Sequence, residues 1–541
     1  MRFSSACKRA IAASALILVH TAFAGHKSHV ELAWIKFENG KLVYGSDEYG
    51  NRIPDFSSVG YEGGGVPIPE VPIRATIDAI PGEEDSTQRI QKAIVELAKH
   101  PIGPDGFRGA LLLRAGAYHI ARTVWVNASG IVLRGEGTGE HGTLLVAEGL
   151  PHTLVRLGGE GGWERAGRAH DIVDTYVPIG ATKITVEDSD EFKPGDRVVV
   201  QWAMDAPFIH AIGMDQIPPR RNGGEIKQWP VGMALRYDRR ILSVEPATGG
   251  KRLTLDAPLT TPMARSEGAN VWRYKFPKRV DHVGIENLEG YGKTFEKAHE
   301  AAHPESCPEQ ADIPASGNAT PCTAPVLQWE AGRPYFNSMF VSFDSVENAW
   351  MRRIAVTHFS GIVSINQFAR AVTVTDVHGE HIDTEETHAP PHGFGVDGQM
   401  SLVENCSLQG SYSHAWMTQA RVAGPDVFRN CTAKGYHLDA GPHQRWATGV
   451  LYDNLHIQGA ILAQNRNNMG SGHGWAGSAT VLWNCETEKY YVESPPVSYN
   501  WAFGTKGSVE RPGDGQVISP GKHLEPESLY EEQLKERVLK K

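Results

Sequence analysis

Short apolar runs broken by Gly, Pro, Asn and Asp dominate this chain, and their pattern repeats in its second half. Val403-Glu-Asn405-Cys406, Phe428-Arg-Asn430-Cys431, Leu451-Tyr-Asp-Asn454-Leu455 and Leu482-Trp-Asn484-Cys485 are each a short apolar strand closed by Asn and then Cys or Leu. The Asn positions lie 25, 24 and 30 residues apart, and Val374-Thr-Asp376-Val377 extends the series 29 residues upstream. A period of 20–50 residues marks units that cannot bury their own apolar face and must stack. Leucine-rich repeats share the period but need a denser Leu pattern, and propeller blades need about 40–50 residues. Short strands, Gly turns and no helical connector predict a parallel β-helix, with a column of Asn side chains bonded along the stack. Helical spacing of Leu529, Leu534, Val538 and Leu539 predicts a short closing helix.

Between the repeat and the N-terminal third the pattern changes. Lys193-Pro-Gly-Asp-Arg-Val-Val-Val200, Arg240-Ile-Leu-Ser-Val244 and Arg252-Leu-Thr-Leu-Asp-Ala-Pro258 read as strands joined by tight turns, an insertion over 180–275. Its Trp202, Met204, His210, Met214 and Trp229 suit either the rim of a cleft or the insertion's own core. Residues 300–325 read as a polar loop.

The first 24 residues stand apart. Arg2, Lys8 and Arg9 precede an apolar run, Ile11 to Ala22, and Ala22-Phe23-Ala24 is a small-x-small cleavage site. The run is too short for a membrane span, so an exported protein, periplasmic or secreted, is expected. With 53 Lys and Arg against 63 Asp and Glu, the net charge of −10 excludes a whole-protein basic field for nucleic acid. Five cysteines follow the leader. Cys307 and Cys322 are expected to bridge in an oxidising compartment, and the lack of a CxxC pair excludes a common structural zinc motif.

Asp85-Ser-Thr-Gln-Arg-Ile90-Gln-Lys-Ala-Ile94, then Gly109-Ala-Leu-Leu-Leu-Arg-Ala-Gly116-Ala-Tyr118, then Ile131-Val-Leu-Arg-Gly135-Glu-Gly137 follow one another near the N-terminus. This succession resembles the capping helix and first coils of pectate-lyase-like proteins. The resemblance implies a right-handed, single-stranded parallel β-helix with an N-terminal capping helix; with the small β insertion and the short C-terminal helix read above, an all-β fold is expected. The expected organisation is an N-terminal extended segment (25–80), capping helix and first coils (81–179), insertion (180–275), main β-helix (276–505), and tail with helix (506–541). The superfamily includes lyases, hydrolases, epimerases and phage tailspikes, so the resemblance specifies fold better than substrate.

Counting from the Asn column places side chains on coils. Nine residues before Asn430, Asn454 and Asn484 stand Arg421, Arg445 and Trp475; eleven before stand Gln419, His443 and His473. Nine after Asn405 and Asn430 come His414 and Asp439, and ten after Asn454 comes Gln464. One face of consecutive coils thus carries His414, Arg421, Asp439, His443, Arg445, Gln464, Arg466 and His473. Guanidinium forks grip a sugar carboxylate bidentately, and neighbouring Arg keeps a His neutral and able to accept a proton. His443, His473, Arg445 and Arg421 are the catalytic candidates. His414, Asp439, Trp446, Gln464, Arg466 and Trp475 are the substrate-binding candidates, with Trp446, Trp475 and Trp416 as flat faces for sugar rings.

A second group, His378, Glu380, His381, Asp383, Glu385, Glu386, His388 and His392, mixes carboxylate and imidazole without strict ligand spacing. It suits a lid loop or a divalent cation such as calcium, which some lyases of the superfamily use. The expected activity is β-elimination on a uronic-acid glycan by a monomer whose partner is an acidic polysaccharide or oligosaccharide. The alternatives are a glycoside hydrolase, for which Asp397, Asp439 and Asp453 are the available carboxylates, and a glycan-binding solenoid.

Overall fold

The computed structural model describes residues 34–149, 151–221, 223–293, 339–381, 392–410, 412–435, 439–509 and 513–540. The leader, the 300–325 loop, Cys307 and Cys322 lie outside the described residues, as do Asp383, Glu385, Glu386 and His388.

The chain winds into a parallel β-helix. Each coil has a first strand, a one-residue bend, a second strand and, after a loop, a third. First strands stack in register: Val403 lies beside Phe428, Phe428 beside Tyr452, Tyr452 beside Leu482, and Leu482 beside Ala502. These side chains are buried, and the Phe428 and Tyr452 rings stack at 5.4 Å.

The bend explains the Asn repeat. Asn405, Asn430, Asn454 and Asn484 have φ of 53°, 50°, 56° and 49°, and Asp376, Arg353 and Asn287 continue the left-handed column upstream. Asn reaches this region at low cost because its short amide bonds locally. Asn454 Nδ2 donates to Asn430 Oδ1 (3.0 Å), and Asn430 Nδ2 to Asn405 Oδ1 (3.4 Å). Asn484 ends the ladder, its amide donating to the carbonyls of Leu524, Pro526 and Glu527. One residue later, Cys406, Cys431 and Cys485 are buried free thiols.

The helix Thr87–Ala98 closes the N-terminal end, burying Ile90, Ile94 and Leu97 on the first coils. Ile73–Ile77 already pairs with Gly109–Leu113, so coiling begins before the expected residue 81. At the other end Gln516–Ile518 still pairs with Trp501–Phe503, past the expected limit of 505. The closing helix Leu529–Leu539 lies on the flank, where the fully buried Asp453 accepts from Ser528 Oγ (2.6 Å) and Tyr530 N (2.9 Å). Among the described residues no helix is long and apolar enough to cross a membrane.

The insertion is a six-stranded antiparallel sheet that starts at Glu164, not at 180. Its first strand, Glu164–Asp171, is mostly polar and carries no apolar alternation, yet it pairs with Asn270–Lys275. Trp202, Met204, Met214 and Trp229 form the core of this domain, while His210 is exposed and bonds Asp215 at 2.9 Å. The sheet docks on the coils through a fully buried Arg239, whose fork donates to the carbonyls of Pro258 and Gly424. Thr260 and Thr448 hydroxyls meet beside it at 2.7 Å.

Candidate active site

Third strands of successive coils, His392–Val396, His414–Thr418 and Asp439–Pro442, place polar side chains at their ends. Four imidazoles gather there. Ring centroids are 5.2 Å apart for His392 and His414, 4.6 Å for His414 and His443, and 4.9 Å for His443 and His473. His414 Nδ1 pairs with Asp439 Oδ1. All five side chains are half-buried, between solvent and core.

Gln419 orients His443. Its Oε1 receives the Gln444 amide at 3.2 Å and lies 3.2 Å from His443 Nδ1. An acceptor there makes Nδ1 the protonated nitrogen and leaves the Nε2 lone pair available. Gln419 is itself fixed, its backbone N–H donating to Asp397 Oδ1 at 3.0 Å.

Arg421 and Arg445 occupy left-handed turn positions on adjacent coils, φ 59° and 46°, and Arg421 N donates to Arg445 O at 2.9 Å. Their guanidiniums differ in duty. The buried Arg445 fork turns onto the loop behind it, donating to Ser471 Oγ (2.9 Å) and the Ser471 carbonyl (3.4 Å). Arg445 therefore braces the loop that carries His473, rather than presenting a free fork to a ligand. Arg421 stays half-buried; burial first, then the neighbouring Arg236 and Arg445 charges, hold its pKa down to about 10.

The loop 464–476 supplies the remaining groups. Gln464 is buried at its base, its carbonyl accepting from Ala476 N. Arg466 Nη1 donates to His443 O at 3.2 Å. Arg466 Nε and His473 Nδ1 are buried and have no hydrogen-bond partner among the described residues.

The expected aromatic platforms are absent from the groove. Trp446 and Trp475 are 0 % and 6 % exposed and belong to the insertion's core; their indole N–H groups donate to Thr261 Oγ1 and Ile212 O. The left-handed turn at Arg445 and Trp446 points that ring at Phe208, 5.4 Å away, because the insertion's apolar face needs a partner. Trp416 is likewise buried, in the coil core against Phe394.

Burial and neighbouring positive charge keep His392, His443 and His473 neutral. Burial, then the His414 and Arg466 charges, bring His443 down to about 2. Burial, then Arg466, Arg445 and Arg220, bring His473 to about 4. Burial and the His414 charge bring His392 to about 4. Among the described residues no three His, Cys, Asp or Glu converge on a point that could hold a metal ion. Of the second group, His378 bonds Ser407 Oγ at 2.7 Å, whereas His392 belongs with the site. Sequence reasoning placed His392 with the wrong group; its 22-residue spacing from His414, close to one coil, was the available signal. Asp453, one of the three carboxylates considered for hydrolysis, is consumed in capping the last helix.

The fold and site define a parallel β-helix whose side carries a row of half-buried imidazoles with guanidiniums beside it, contacted by an inserted sheet. No protein-family model and no curated protein matches the sequence. Solved structures similar to it include the tailspike gp49 of Pseudomonas phage LKA1 (11% identity, TM-score 0.42). That match covers 78% of this chain and 55% of the tailspike, so the chain spans about half the tailspike's length. The A-module of the Azotobacter vinelandii mannuronan C-5 epimerase AlgE6 is similar at 10% identity and TM-score 0.32, over 82% of this chain and 97% of the module. The DFA-IIIase of Arthrobacter chlorophenolicus A6 is similar at 10% identity and TM-score 0.33, over 86% and 89%. The fold rests on the chain's own strand pairing.

Proposed function

We propose that this groove is the active site of an exported carbohydrate-active enzyme that cleaves a uronic-acid glycan by β-elimination. The observation that carries the proposal is the row of imidazoles His414, His443 and His473, adjacent rings 4.6 and 4.9 Å apart, with Arg466 beside His443 and His473 and those two held neutral. In β-elimination the carboxylate is neutralised, which acidifies the proton on the adjacent carbon. Arg421 supplies that neutralisation. His443 Nε2, with its lone pair exposed by the Gln419 contact, takes the proton; His473 stands beside it. The electron pair forms the new double bond, the glycosidic C–O bond breaks, and the leaving oxygen takes a proton from His414, which the Asp439 contact holds in place.

The depressed proton affinity of His443 and His473 fits this role only with ligand present. Burial is the largest cause of that weakness and, for His443, the His414 charge the next; Arg466 adds to it in both, and a bound carboxylate offsets that last part.

A screen of purified protein on acidic and neutral glycans tests the reading. Ultraviolet absorbance from the unsaturated product together with new reducing ends is the expected result. Reducing ends alone would identify a hydrolase, for which Asp397 and Asp439 remain, and neither signal would leave a glycan-binding solenoid.

A further inference from the structure

The insertion meets the 464–476 loop through several hydrogen bonds. Arg220 Nε donates to Asn468 O (3.0 Å), and Asn468 Nδ2 donates back to Pro219 O (3.0 Å). Lys227 N donates to Ser471 O, and Trp229 Nε1 to Gly472 O. The insertion thus grips the segment between Arg466 and His473 along its length. Gly224 makes room for the Arg220 side chain: a Cβ there would stand 3.0 Å from Arg220 Cδ and 3.1 Å from Nη1.

That arrangement gathers guanidiniums, Arg220 and Arg466, that lack a close counter-ion among the described residues. Among the described residues neither Arg220 nor Arg466 forms an ion pair, and the Arg220 terminal nitrogens make no hydrogen bond to protein. Three guanidiniums, Arg466, Arg445 and Arg220, act on His473, and the one carboxylate that acts on Arg466, Asp439, is already engaged with His414. Like charges placed together by a folded scaffold raise its energy, and a bound anion relieves them. The buried, unpartnered Arg466 Nε and His473 Nδ1 are donors or acceptors awaiting a partner in the same place.

We infer that the inserted sheet contributes half of a second anion subsite, in which Arg220 and Arg466 together hold an acidic group of the glycan next to His473. The inference rests on reading the groove as a glycan site. The group is a uronate carboxylate or a sulfate ester, which share the chemistry of a compact oxyanion. Arg421 lies two rungs away, about 10 Å at one strand spacing per rung. A ligand that satisfies both positions carries acidic groups on more than one sugar.

The test uses the full chain with labelled imidazoles, the Arg220→Gln and Arg220→Lys variants, and sodium galacturonate and sodium sulfate as probes. In the wild type each anion is expected to move the His473 resonance saturably. Arg220→Gln should weaken that response at least tenfold, and Arg220→Lys should retain part of it. Tri-galacturonate and a carboxyl-free sulfated galactan oligosaccharide then distinguish the two sources, the better ligand being the one whose affinity falls most in Arg220→Gln. A wild-type His473 resonance indifferent to both small anions, or an equal response in Arg220→Gln, overturns the subsite. An anion response that depends on Arg220, with no glycan turned over, would sink the elimination reading and leave the subsite standing.

Discussion

An imidazole held neutral among guanidiniums is useful for proton transfer and costly in acid. His443→Ala should lower turnover by roughly 10²–10⁴-fold, with an unchanged circular dichroism spectrum, because this half-buried groove residue contributes little to the core. Unchanged turnover in folded protein would remove His443 as the base. The same depressed affinities fix a pH dependence of stability. His392 and His473 titrate at about 4 when folded, against the ordinary value of 6.5 when unfolded. The unfolded chain therefore binds more protons as pH falls below 6.5, and the stability these groups contribute above that value is lost between 6.5 and 4. The urea midpoint should drop from pH 7 to pH 5, and His392→Gln should flatten part of that slope. Much of this site was legible from residue counting: the count put Gln419 and His443 on adjacent coils, and they share a hydrogen bond. The tryptophans were not legible, because only the docked insertion shows that Trp446 and Trp475 face its core.

At the scale of elements, the one-residue bend carries the coil. Asn430→Ala should cost about 1–2 kcal/mol, combining the left-handed backbone penalty with two lost amide contacts. Asn430→Gly restores the backbone freedom and should recover a large part of that loss in chemical denaturation; equal losses for both variants would argue against a backbone cause. Asp453→Ala removes the acceptor for Ser528 Oγ and Tyr530 N in a buried setting. It should cost about 2–3 kcal/mol and expose Leu529–Leu539 to limited proteolysis before the coils unfold. The coil strands were legible because Asn, Cys and Leu recur at a fixed place in each. The edges of the insertion were not, since Glu164–Asp171 owes its strand conformation to pairing with Asn270–Lys275 and not to its own pattern.

The whole molecule shares one apolar interior across two architectures. Ala423, Trp446 and Trp475 come from the coils, yet they pack with Trp202, Phe208 and Trp229 of the inserted sheet. Cutting that interface would expose indoles that have no other cover, so the sheet and the β-helix should melt together in one calorimetric transition. Trp446→Ala should lower that transition as a whole, by about 3–5 kcal/mol of stability. Two separated peaks, with only one displaced, would show that the insertion folds by itself.

The left-handed corner always spends a single residue, so every difference in repeat length must be absorbed elsewhere around the coil. The interval from Asn454 to Asn484 is 30 residues against 25 and 24 for its neighbours, and the surplus falls in the loop that carries Arg466 and His473. A solenoid built this way separates inheritance of shape from acquisition of chemistry. The corner keeps time for the stack, while the opposite side can lengthen, shorten or be exchanged without disturbing the beat. Functional novelty in such a chain would then surface first as an irregular interval, visible before any particular residue is singled out.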